Sequence, residues 1–147
     1  MPPQNDDYIH SYGHEPPPRE RQQIVAMVNR YYAAIVAGNG AAACRLLYPQ
    51  IEKAVPEDYG KPPGPPALKG KTCAAVISKL AKHVENQPLA DLATTKVTGV
   101  RIKGEEGFVQ LTASETPTAE IPIQRIHGGG WRLEAIVGKA CKNCAPG

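Results

Sequence analysis

Apolar residues in the first third of the chain recur at helical spacing. Ile24, Val28, Tyr31 and Ile35 fall at i, i+4, i+7 and i+11, and Val25, Tyr32 and Val36 widen the stripe. Arg21, Gln22, Asn29 and Arg30 lie mostly off it, so the pattern predicts an amphipathic helix over about residues 19–37. Gly38 supplies a left-handed stop and Asn39-Gly40 a turn. A short helix over about 41–48 then carries Cys44 and Leu47 inward before Pro49, with further helical residues from about 50 to 55. Residues 56–70 are so rich in Pro and Gly that they read as a long loop, partly polyproline II. Cys73, Val76, Ile77, Leu80 and Val84 share one side of a helix predicted over about 71–84, which Gln87-Pro88 ends.

Beyond Ala93 the period falls to two. Residues 96–103 predict a strand with Val100 and Ile102 on one face. Gly104-Glu105-Glu106-Gly107 is a turn, and residues 108–114 return with Val109, Leu111 and Ala113 alternating. Residues 120–127 and 131–137 predict a second hairpin around Gly128-Gly129-Gly130. Trp131, Leu133, Ala135 and Val137 share a face of the last strand. On the same alternation Arg101, Glu115, Glu120, Arg125, Arg132 and Glu134 fall on the solvated side. Helices first and an antiparallel sheet last make an α+β arrangement, with the long first helix laid across a curved sheet.

The 147 residues, 41% of them apolar, suffice for one domain with one core. Residues 1–21, with five prolines before Arg19, read as a leader or linker, 22–138 as the domain and 139–147 as a patternless tail. The formal charge of +3 is mild and its cations are scattered along the chain, which argues against nucleic acid as a partner. No apolar run is long enough to span a bilayer, and residues 1–7 lack the features of a signal peptide. Four cysteines among 15 prolines and 14 glycines nevertheless suggest an oxidising compartment. An extracellular or cell-envelope location, with the export segment or anchor outside this sequence, reconciles the two; a cytoplasmic protein is the alternative.

The run Gly38-Asn39-Gly40-Ala41-Ala42-Ala43-Cys44 into Leu46-Leu47, the later Cys73 and the closing Gly130-Trp131-Arg132-Leu133-Glu134 resemble the nuclear-transport-factor-2-like (NTF2-like, SnoaL-like) superfamily. The nearest likeness is to its small export-associated actinobacterial members, over about residues 22–138. The resemblance implies a cone whose sheet wraps the first helix and leaves a pocket at the open end. It also implies a choice among isomerases, dehydratases, ligand binders and domains without activity. Enzymatic members carry an Asp–His or Asp–Arg pair inside the cone, and the inward positions here offer none. The 56–70 loop is also longer than the usual connection.

The aromatic residues Tyr31, Tyr32, Tyr48, Tyr59 and Trp131, with His127 at the glycine turn, are the candidates for a ligand pocket; filling the core is their alternative role. Cys44 and Cys73, each on the apolar side of a helix, are expected to pair, leaving Cys141 with Cys144 as a local bridge. A redox or nucleophilic cysteine is the other possibility. The Cys141-Lys142-Asn143-Cys144 motif has no second ligand pair for zinc, so no metal or other cofactor is expected. His10, His14 and His83 read as solvated. These features predict a non-catalytic domain that binds a small molecule or a protein through the cone mouth. The alternatives are a SnoaL- or ketosteroid-isomerase-like enzyme using Asp91, Glu85 or His127, and a homodimer built on the outer sheet face.

Overall fold

Pro17 and Pro18 set where the first helix begins. A proline at the first helical position gives up no bond the helix needs, and Arg21 N–H closes the first turn onto Pro17 O at 2.8 Å. In the computed structural model, which describes residues 12–62, 64, 66–80, 82, 89–114, 118–127 and 129–136, this helix (α1) is Pro18–Val36. It ends as the sequence predicts. Gly38 takes φ +73°, its N–H bonds Ile35 O and Asn39 N–H bonds Ala34 O, closing a Schellman motif. Then come α2 (Gly40–Cys44), α3 (Pro49–Asp58), a 3-10 turn (Pro66–Leu68), α4 (Cys73–Leu80) and α5 (Leu89–Leu92).

Four strands follow: β1 (Lys96–Lys103), β2 (Glu106–Thr112), β3 (Ala119–Arg125) and β4 (Trp131–Leu133). They form one open antiparallel sheet in the order β1-β2-β3-β4. The architecture is α+β, as the change of period predicts. Val100 lies opposite Val109, which lies opposite Ile121; Ile123 lies opposite Leu133. That face meets Ile24, Val28, Tyr31 and Ile35 of α1 in one buried core. Among the described residues no helix is long and apolar enough to cross a membrane.

Several elements differ from the sequence reading for identifiable reasons. Helix α3 runs through Pro56 to Asp58, where a loop is expected. Pro56 lies close to the helix end, and the bonds beyond it are kept: Tyr59 N–H and Gly60 N–H reach Val55 O and Pro56 O. Helix α4 starts at Cys73 because Thr72 caps it, its Oγ1 accepting from Ala75 N at 3.1 Å. Strand β4 stops at Leu133 instead of running to Val137. Its next partner is Pro122, which accepts from Glu134 N–H at 2.9 Å but has no N–H to return.

Residues 12–21, assigned on composition to a leader, are bound to the fold. His14 exchanges both backbone bonds with Ile102 at 2.9 Å, and Arg101 reaches Tyr12 O at 2.9 Å and Gly13 O at 3.1 Å. Tyr12 and Phe108 meet edge to face at 5.1 Å. The other sheet edge is also covered: Leu133 N–H bonds Leu46 O, and Tyr48 N–H bonds Leu133 O. Both outer strands thus lend their free backbone groups to neighbouring chain.

Cys44 and Cys73 form a disulfide with Cα atoms 6.2 Å apart, joining the end of α2 to the start of α4. Gly40 permits that closeness: a Cβ there would lie 2.1 Å from Ala74 O. Ser78 seals the contact, its Oγ accepting from Gly40 N at 3.1 Å and donating to Gly38 O at 3.2 Å. Cys141, Cys144, Glu85, His10 and His83 lie outside the described residues.

The bridge spans 29 positions, so in the chain-entropy account Cys44→Ala/Cys73→Ala lowers the unfolding free energy by about 3–4 kcal/mol. Urea unfolding of the two proteins, with and without reductant, measures it; equal midpoints would contradict the role given to the bridge.

Candidate functional site

Register decides what the last hairpin presents. Arg125 lies opposite Trp131 and shares the inward parity of Ile121 and Ile123, so it belongs to the helix-facing side of the sheet and not the solvated side. Its guanidinium sits 4.8 Å from the centroid of the Trp131 ring. The Glu20 carboxylate, one turn into α1, accepts from Trp131 Nε1 at 3.1 Å and pairs with Arg125. Trp131 is therefore a packed and tethered core residue, 4% exposed, with no free wall to offer a ligand.

The face of α1 next to the core stripe behaves differently. Asn29, Tyr32, Ala33, Val36 and Ala37 follow i, i+3, i+4, i+7 and i+8, and line a cavity of about 410 Å³. Leu92, Ala93 and Thr95, on the passage from α5 into β1, form its opposite wall. Tyr31 points the other way and is fully buried, its ring edge-on to Tyr32 at 5.4 Å. Burial pushes the Tyr32 phenol well above its usual range, so the hydroxyl keeps its proton and stays a donor. The Thr95 hydroxyl oxygen is buried with no hydrogen-bond partner among the described residues.

A second cavity, of about 330 Å³, opens between α3 and the chain after β4. Tyr59, Asp58 and Ile51 line it from α3 and its end, Glu134 and Ile136 from the other side. Partial burial, and then the charge of Glu106, hold the Glu134 carboxyl above its ordinary value. This glutamate reads as solvated in the sequence, yet it lines a cavity.

The six aromatic and histidine candidates are therefore not gathered at one place. Tyr32 lines the first cavity and Tyr59 the second; Tyr31 and Trp131 are core. Tyr48 precedes α3, where its backbone bonds Leu133, and His127 is exposed in the β3–β4 turn. Asp91 is buried at 5% exposure on α5, its carbonyl accepting from Thr94 Oγ1 at 2.6 Å, and it is not among the residues lining the first cavity. No group of three or more His, Cys, Asp or Glu residues suited to a metal ion occurs among the described residues.

Asn29, three residues before Tyr32, was within reach of a helical projection of the sequence. Thr95, Leu92 and Ala93 carry no periodic signal at all. Compared with known proteins, the chain matches no protein-family model, no curated protein and no solved structure.

Glu20→Ala removes the acceptor of Trp131 and the partner of Arg125, and is expected to cost about 1–3 kcal/mol in thermal or urea unfolding. Trp131 fluorescence reports the lost contact directly. For Glu134 the sign follows from its raised folded value. The stability it carries is full below the carboxylate range and is lost as pH rises through that value. Glu134→Gln should thus raise the unfolding midpoint at about pH 7, and the gain should close toward about pH 4. A gain independent of pH would contradict this.

Proposed function

We propose that this chain is a non-catalytic binding domain of the NTF2-like kind, working in an oxidising compartment at or beyond the cell envelope. Its ligand is a small, flat, largely apolar molecule carrying a hydroxyl or carbonyl oxygen. The observation that carries this reading is a cavity walled largely by Ala33, Val36, Ala37, Leu92 and Ala93, with Asn29, Tyr32 and Thr95 as its polar lining residues. An apolar wall with a few polar groups on it suits a largely apolar ligand that carries one oxygen function. Tyr32 and Asn29 line the same space, adding a donor that does not titrate near neutral pH and an amide that both donates and accepts. A volume of about 410 Å³ falls within the range of small-ligand sites.

Three further observations support the reading. The long first helix lies across an antiparallel sheet and carries the cavity near its C-terminal end. The Cys44–Cys73 bridge suits an environment where disulfides persist. Of the three residues the enzymatic alternative offers, Asp91 does not line the cavity and His127 is exposed in a turn, which favours binding over acid–base catalysis, while Glu85 lies outside the described residues.

Saturation-transfer NMR with 2-naphthol and 1-tetralone, a two-ring alcohol and a two-ring ketone, tests it. At roughly 0.5 kcal/mol per heavy atom such probes should bind with Kd about 0.1 mM. Asn29→Ala should weaken binding about threefold to tenfold, and Ala33→Phe, which fills the entrance, should abolish it. Absence of saturation transfer for both probes, or transfer unchanged in Ala33→Phe, would overturn the proposal.

A further inference from the structure

Four lysines from the end of α3, the proline-rich loop and α4 line one cleft. Lys61 follows α3, Lys69 and Lys71 close the proline-rich loop, and Lys79 lies in the last turn of α4. The cleft they line encloses about 580 Å³, and a smaller hollow of about 200 Å³ shares Gly60, Lys61 and Lys69 with it. Glu57 is the one carboxylate among the lining residues. The formal excess of the whole chain is +3, and four of its cations fall on this one wall.

The convergence is built into the backbone. Gly70 N–H donates to Gly60 O at 2.9 Å, zipping the two limbs of the loop together. A Cβ on Gly60 would lie 2.3 Å from Gly70 O and 2.8 Å from Val76 Cγ2, so the limbs approach as closely as glycine alone allows. Two of the four are already occupied: Lys61 pairs with Glu57 at 2.6 Å, and Lys79 Nζ donates to Lys69 O. The ammonium groups of Lys69 and Lys71 are exposed and have no ion-pair partner among the described residues.

We infer that this cleft binds a multiply charged oxyanion, the phosphate or sulfate ester of a sugar-sized molecule, with Lys69 and Lys71 as its principal cationic contacts. Lysine presents a compact point charge with three donors. It suits a tetrahedral oxyanion that several side chains approach from different directions, where a single planar carboxylate would call for the arginine fork. The site is distinct from the Tyr32 cavity and does not depend on it.

Isothermal titration calorimetry of the full chain with tripolyphosphate tests the assignment. We expect one site at about 0.02 M salt, weakened at least tenfold at about 0.2 M because exposed charges are screened. Lys69→Ala/Lys71→Ala should weaken it about tenfold with an unchanged melting temperature, since neither ammonium group holds the fold. Lys53→Ala/Lys96→Ala removes the same formal charge from exposed positions elsewhere and should leave affinity intact. No binding of tripolyphosphate, or equal losses in the two double variants, would overturn the inference. Sedimentation with phosphatidylcholine vesicles containing about 20% phosphatidylinositol 4-phosphate then separates the sources of the ester. Co-sedimentation that the Lys69/Lys71 variant loses places it in a lipid headgroup; its absence beside tripolyphosphate binding makes it a soluble ester.

Discussion

The fold rests on the contact between the buried stripe of α1 and the inward face of the sheet. Ile24, Val28, Tyr31 and Ile35 share one buried core with side chains from all four strands, and among the described residues this is the longest helix. Each end of the contact is fixed by different chemistry. At the N-terminal end Glu20 ties Trp131 and Arg125 to the first turn of the helix. At the C-terminal end the Schellman turn at Gly38 sends the chain directly into α2, where Gly40, Ser78 and the disulfide hold α4. A shift of the helix by one turn would break the polar contacts at both ends at once, so these contacts and the packed stripe fix the same axial position.

The same arrangement explains why the sheet remains small. Its outer strands are closed by irregular chain, His14 on β1 and Leu46–Tyr48 on β4, which supply backbone partners without adding long strands. Pro122 limits pairing on the β4 side from within. The sheet therefore ends where the helical layer begins, and the α5 passage from Leu92 to Thr95 lies against the C-terminal half of α1. The Tyr32 cavity lies at this junction, between elements joined by few contacts, where packing is least complete.

Much of this frame is legible in the sequence because it follows from periodicity. The α1 stripe, the Gly38 stop, the β1–β2 hairpin and the inward pair Trp131 and Leu133 each belong to a pattern several residues long. The Cys44–Cys73 pairing is legible because both residues sit on apolar helix faces. Charge misleads where strand parity overrides it: Arg125 goes inward because Ile121 and Ile123 do, and an aromatic ring and a carboxylate receive it there. Composition misleads for residues 12–21, whose prolines suggest free chain although their backbone completes a sheet edge. The lysine cleft and the Leu92–Thr95 wall of the Tyr32 cavity carry no periodic signal. The cleft arises when the Gly60–Gly70 contact zips the two limbs of one loop, the cavity when α1 meets the passage from α5 into β1.

The disulfide has a topological consequence beyond holding two helices together. Helix α3, the proline-rich loop and the lysine-bearing limbs all lie between Cys44 and Cys73, so the bridge makes them a closed covalent ring. Exposed loop tips are where proteases cut first. A single cut anywhere between those two cysteines opens the ring but severs nothing, and both halves of the cleft stay attached to the same molecule. The loop that carries the lysine cleft can thus be nicked without either fragment leaving the molecule.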